Sequence, residues 1–400
     1  MYTGQADVVT YLIYIFMGLF CWFSVKVFLR TGARSVQKDG LLAVGSREDR
    51  IEHYLAAGLF VLVLALFAAL RKVGSDLGGS DAAAYEDYFK HATSFAYHRE
   101  NPYNISEPVF FLYNFLFRKL TGNVRVFFFF TYAFIAASYL LFIRAYAKDT
   151  EVASPYLLLV FLYLKAFCTL RTSFSVACFL IALVVFKKHK LLSTPLFFIP
   201  VFIHRMSLLY AILPIFYWFY RFVNKRTTVL ERFLVYASCL VCSVAGSILL
   251  REFILRFNVI SGLDASYIES SGGLSLLGRY PMYFSFILLI ILLRIYIPLS
   301  FSKQKSCALI DDDLFFLFVF DVIVFPASLI FGMWRANEYL YVSRLALWSV
   351  SFPLLVNLSF GKYKRILYPL FSAAFVLWLG FRLFSEWEAL KIMPYLPFFG

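Results

Sequence analysis

Long apolar runs alternate with short polar stretches along the whole chain, at 9–29, 54–70, 124–143, 155–169, 173–186, 191–203, 207–222, 233–250, 281–297, 314–332, 343–358 and 366–384. A helix needs roughly 20 apolar residues to cross about 30 Å of hydrocarbon, so the pattern predicts an all-α, polytopic protein with about twelve transmembrane helices. Two segments in the first long polar stretch, Asp81 to Phe95 and Glu107 to Leu120, mix aromatics with charges at helical spacing, which predicts amphipathic helices lying at the membrane surface. If 105–120 crossed the bilayer instead, every later loop would be inverted. The runs 173–186 and 191–203 fall short of the roughly 20 residues that a span requires, so their outer ends are expected to sit below the surface and to line a recess. The competing arrangement is a single tilted helix over 191–220 with His204 and Arg205 buried within it.

Composition agrees with lipid as the solvent. The chain is 62% hydrophobic and only 16% charged, too apolar for a water-soluble fold of 400 residues. Its net charge of +14 would suit nucleic acid if the basic residues formed one tract. They form small clusters between apolar runs, which argues for topology signals and against a nucleic-acid partner. The first run ends in basic residues rather than in a small-residue cleavage site, so it reads as a true span. With no internal repeat or low-complexity linker, residues 1–400 are expected to form a single membrane domain.

The lysines and arginines set the orientation. Loops 30–53, 144–154, 187–190, 223–232, 298–313 and 359–365 carry Arg30, Arg34, Lys38, Arg144, the Lys187-Lys188-His189-Lys190 cluster, Lys225, Arg226, Lys303 and Lys364, and are expected to be cytoplasmic. The opposite face then holds both termini, two long loops at about 71–123 and 251–280, and a short one near 333–342.

Arg71, Asp81, Glu107, Arg171, His204, Arg205, Arg279, Arg335 and Arg344 all gather at that outer set of ends. Ionisable residues at membrane depth are costly and tend to be functional, which singles out Arg171 and His204. Asp81 could equally be a helix cap, and Arg335 and Arg344 could be snorkelling anchors. Cys239-x-x-Cys242 is one turn of an apolar helix with no partner pair, and reads as packing. The stretch Gly74-Ser75-Asp76-Leu77-Gly78-Gly79-Ser80 lacks the lysine of a phosphate loop and reads as a turn.

The order of these residues carries a resemblance. Arg71, Gly79-Ser80-Asp81 with Tyr85 and Phe89, Glu107-Pro108 with Asn114, Leu170-Arg171, Phe202-Ile203-His204 with Ser207, and a closing Pro394-Tyr395 resemble the EpsG family of bacterial polysaccharide polymerases, which are similar to Wzy-type O-antigen and capsule polymerases. Thr172 stands where the family usually has Gln, and Arg205 where a small residue is common. The resemblance implies a GT-C-like membrane enzyme of the bacterial cytoplasmic membrane. Such an enzyme joins oligosaccharide repeat units carried on undecaprenyl diphosphate at the outer leaflet, and could meet a flippase and chain-length regulators. Arginine forks suit a departing diphosphate, so Arg171, Arg205, Arg279, Arg335 and Arg344, with Arg71 and Tyr85, become the expected substrate ligands. His204 or Asp81, with Glu107 third, is the expected base for the acceptor hydroxyl. No carboxylate cluster has metal-ligand spacing, so a reaction without metal or other cofactor is expected. A transporter or flippase would want polar residues through the middle of many spans, where Asp321 stands nearly alone. A membrane acyltransferase would want its histidine at an inner loop, where only His53 and His189 fall.

Overall fold

The computed structural model describes residues 8–36, 47–74, 78–94, 96, 107–146, 164, 166–256 and 312–330, with isolated positions 365, 366, 369, 370, 373, 374, 377 and 381. Every regular element among them is helical, and five helices are long and apolar enough to cross a membrane. The protein is a multi-pass membrane protein. The structure divides into two compact units, one made of Met1–Arg205 with Trp348–Gly400 and the other of Met206–Leu347.

In the first unit, α1 (Val8–Val36) and α2 (Arg47–Ala69) form an antiparallel pair. Tyr14 meets Phe67 edge-on at one end, and Phe28 stacks on His53 at the other. Helix α5 (Val124–Tyr146) runs back along α2, with the Arg125 guanidinium donating to the Arg71 carbonyl where α2 ends. Helix α6 (Leu170–Lys188) lies parallel to α5. The Tyr132 hydroxyl reaches the Ala166 carbonyl just ahead of α6, and the Tyr146 hydroxyl reaches Leu183 near its far end.

The helices are thereby sorted by their ends. One end collects Arg71, Arg125 and Arg171. At the other, Lys187 donates to the Ala145 carbonyl and the Arg144 guanidinium lies over Phe28, beside His53. Arg71 and Arg171 thus lie at the opposite end from Arg144 and Lys187, as the placement of basic residues between the apolar runs predicts.

Between α2 and α5 lie α3 (Ala82–His91) and α4 (Pro108–Thr121), the two amphipathic segments. Helix α4 has 14 residues, too few to span, and stops at Gly122, whose left-handed φ of 62° closes the last turn onto the Arg118 carbonyl. Phe110 of α4, Phe174 of α6 and Ile203 form a buried cluster with Tyr85 and Tyr88 of α3 packed against it. Both amphipathic helices are thus fastened to α6 by aromatic burial, worth about 1.5–3 kcal/mol for each fully buried large side chain.

The run 191–203 is not a continuous span. It forms a 3-10 turn over Thr194–Phe197 and a five-residue helix α7 (Ile199–Ile203), because Pro195 and Pro200 each remove an amide donor. Running antiparallel to α6, this segment sets Phe197 edge-on to Phe179 and Phe186, and its Pro200 carbonyl accepts from Ser175 Oγ at 2.9 Å. The longer rise per residue of the tighter 3-10 turn lets a short segment travel further than an α-helix of equal length. Nor is 191–220 one long helix, since the helix breaks at His204, which is extended at φ −151° and ψ 115°.

In the second unit, the expected span 207–222 is divided into α8 (Leu208–Ala211) and α9 (Leu213–Arg226), the latter with a proline at its first turn. Helix α10 (Val229–Arg256) opens with a capping box, Thr228 and Glu231 exchanging hydrogen bonds. It packs against α11 (Asp312–Ile330), where Ser243 Oγ donates to the Ile323 carbonyl. Phe233, Leu234, Val241 and Leu249 of α10 are exposed among the described residues, a surface that calls for lipid. The expected spans 281–297 and 343–358, and most of 155–169 and 366–384, lie outside the described residues.

Candidate functional site

Glu107 immediately precedes α4, at the N-cap position where a short polar side chain could cap the helix. It makes no such bond. Its carboxylate turns instead towards the start of α6 and the break after α7. Oε2 accepts from the Arg171 guanidinium at 2.5 Å. Oε1 accepts from the Arg205 backbone N–H at 3.2 Å and lies 3.3 Å from His204 Nδ1. The local backbone explains the convergence. Ile203 ends α7, the His204 N–H closes that helix onto the Pro200 carbonyl at 2.8 Å, and the extended His204 residue aims the next N–H outward at Glu107.

The cluster has depth. The side chains of Glu107 and His204 are 5% and 4% exposed, whereas Arg171 is 23% exposed and Arg205 lies at the surface. A buried carboxylate without partners would cost several kcal/mol. Here a guanidinium, a backbone amide and an imidazole meet it, with the amino end of α6 close by, where negative charge is favoured. Burial still raises the Glu107 carboxyl above its ordinary value, against the opposing pull of Arg171 and Arg205.

Tyr85 joins the cluster from α3. Its hydroxyl accepts from the Arg171 backbone N–H, and burial pushes the phenol well above its usual range, so it stays protonated. Asp81 stands at the N-cap position of α3, exposed and without a side-chain cap bond. Its charge is felt by Tyr85, which places it at the edge of the same surface.

Arg71 departs from the expectation of a phosphate ligand. It is 1% exposed, with Nε donating to the Gly78 carbonyl at 2.7 Å, one terminal nitrogen to the Ala68 carbonyl and the other to the Tyr132 hydroxyl at 2.9 Å. The guanidinium carbon sits 4.3 Å from the Phe167 ring centre, with Phe128 and Tyr132 also beneath it. Its donors close the 71–80 loop rather than face a substrate. Gly79 completes that closure, since at φ 118° a β-carbon would collide with the Phe167 carbonyl. Ser80 bonds Cys168, one residue further on in each segment, so the loop that leads into α3 is registered against the one that leads into α6.

Of the residues expected at the site, the structure thus brings together Glu107, Arg171, His204, Arg205 and Tyr85, sets Asp81 beside them, and turns Arg71 inward. Arg279, Arg335, Arg344 and Pro394-Tyr395 lie outside the described residues. Sequence reasoning missed Tyr132 and Arg125 as supports of Arg71; the available signal was a hydroxyl and a charge inside an otherwise apolar run. Asn114 carries a further oddity: its Nδ2 donates to the Phe110 carbonyl, yet its Oδ1 is buried with no hydrogen-bond partner among the described residues.

No curated protein and no solved structure matches the chain. The EpsG family matches it over residues 54–396, a stretch that runs from within α2 through α11 and takes in every member of the cluster. The chain belongs to the EpsG family.

Proposed function

We propose that this protein is a polysaccharide polymerase that joins oligosaccharide repeat units carried on undecaprenyl diphosphate, by glycosyl transfer at the outer face of the bacterial cytoplasmic membrane. The observation that carries the reading is the convergence of a partly exposed arginine and a buried histidine on one buried carboxylate, at the arginine-rich end of the helices. Transfer breaks the bond between the anomeric carbon of the donor sugar and the phosphate oxygen, and forms one from that carbon to an acceptor hydroxyl. Charge accumulates on the departing diphosphate. Arg171, assisted by exposed Arg205, is suited to receive it, because a guanidinium fork pairs with two phosphate oxygens and stays charged at any working pH.

His204 takes the proton of the acceptor hydroxyl. It is favoured over Asp81 because it belongs to the packed cluster, where geometry is fixed, whereas Asp81 is solvent-exposed. Tyr85, kept protonated, lies beside Arg171 and suits a sugar hydroxyl or phosphate oxygen. The outer ends of α1 and α2 and the surface helices α3 and α4 would face membrane lipid and the lipid-linked donor. The test is direct: purified protein in detergent, given lipid-diphosphate-linked repeat units alone, should yield a ladder of lengthened products. A single unlengthened species would overturn the reading, and movement of donor across vesicles without lengthening would favour a flippase.

A further inference from the structure

We propose that Glu107 is a positioning residue for the transfer step, holding the Nδ1 edge of His204 so that Nε2 is the nitrogen that meets the acceptor hydroxyl. This rests on the polymerase reading and adds a role to a residue that the chemistry above leaves idle. The carboxylate cannot easily be the base itself. Both of its oxygens are already engaged, Oε2 by the Arg171 guanidinium and Oε1 by the Arg205 N–H with His204 Nδ1 3.3 Å away, so neither is placed to take a proton from an acceptor.

A neutral imidazole has one protonated and one lone-pair nitrogen, and an acceptor placed at one nitrogen selects the tautomer. Oε1 at 3.3 Å from Nδ1 favours the tautomer with its proton on Nδ1 and its lone pair on Nε2. In transfer, Nε2 gains the hydroxyl proton as the new glycosidic bond forms, and the imidazolium is stabilised by the adjacent carboxylate, which keeps its own charge throughout. Other groups near the pair are Arg171 from α6, Arg205 after α7 and, beyond Arg171, Tyr85 and Asp81 from α3. Oε2 fixes Arg171 in the same stroke, so that one side chain sets base and phosphate ligand at a constant spacing.

Glu107→Gln keeps shape and removes the charge. With its amide oxygen towards Arg171 the glutamine keeps that contact and loses the acceptor at Nδ1, so it should lower kcat by about 100-fold, the lower end of what a general base supplies, while leaving KM for the lipid-linked donor nearly unchanged. Combined with His204→Ala it should cost almost nothing further, because both substitutions disable the same step. Nitrogen NMR of histidine-labelled protein without substrate should show His204 with its proton on Nδ1, and a shift towards the other tautomer in Glu107→Gln. A normal kcat in the variant, additive losses in the double variant, or an unchanged tautomer would each overturn the proposal. The tautomer needs no substrate, so a change there alongside a wild type that makes no polymer would retain the positioning role and reject the polymerase.

Discussion

Two arginine sites lie at the same end of the first unit and have opposite characters, Arg71 buried and Arg171 partly open. Arg71 is enclosed: two backbone carbonyls, a tyrosine hydroxyl and three aromatic faces take up its guanidinium, and none of these partners can be exchanged without opening the loop. Arg171 faces a carboxylate at 2.5 Å and keeps 23% of its side chain open, so an incoming anion can compete for it. Partner chemistry separates the two. Carbonyls and rings make an arginine a fastener, whereas an ionisable carboxylate next to a histidine makes it part of a site.

The largest expected effect lies on the second side of that contrast. His204→Ala should still bind lipid-linked donor, because the arginines remain, yet lose about a hundred- to ten-thousandfold in transfer rate, measured by single-turnover product formation. If Asp81→Asn is inactive while His204→Ala keeps its rate, the base is Asp81. Next in size is Arg71→Met, which strips the Gly78 and Ala68 carbonyls of their guanidinium donor, while the Tyr132 hydroxyl keeps its bond to the Ala166 carbonyl. At about 1–3 kcal/mol for each buried group left unsatisfied, it should lower the melting temperature and the yield of folded protein sharply. A melting temperature equal to wild type would deny Arg71 its fastening role.

Acid should then pull the two properties of Glu107 apart. Its folded carboxyl is raised above the ordinary 4.5, so its contribution to stability is present below that pH and is lost as pH rises through the folded value. Activity should run the other way over the same window, rising as the carboxylate forms and takes hold of Arg171 and His204. Glu107→Gln should remove this window from the thermal-stability profile, and an unaltered profile would show that Glu107 does not titrate there. The smallest perturbation tests sidedness: a cysteine at position 45 should react only with reagents that reach the cytoplasmic face, and labelling from outside would invert the orientation.

Much of this contrast could be read in the sequence, and its limits are physical. Hydropathy located α1, α2, α5, α6 and α10, because a bilayer demands length and apolarity that few other structures require. It placed Arg171, His204 and Glu107 on the same side. It could not rank Glu107 above Asp81, since the rank depends on burial, and that is decided by how α4 packs against α6 through Phe110 and Phe174. The same limit hid the inward turn of Arg71, which requires Tyr132, Phe167 and the Gly78 carbonyl to meet from three separate segments. The interrupted 191–203 segment was half visible: its shortness was plain, and Pro195 and Pro200 mark where it leaves the α-helix.

The most direct test of the central claim sets the two arginines side by side. Arg171→Lys and Arg71→Lys would be purified with the wild type, the folded fraction of each measured, and polymer lengthening from lipid-diphosphate-linked repeat units expressed per folded molecule. Lysine keeps the charge and removes the fork. Arg171→Lys should fold normally and lose about 100-fold or more in rate, as removal of a transition-state donor does, while Arg71→Lys should fold poorly and retain near-normal activity in what does fold. A well-folded Arg71→Lys that is inactive, beside an Arg171→Lys that polymerises at the wild-type rate, would contradict the account.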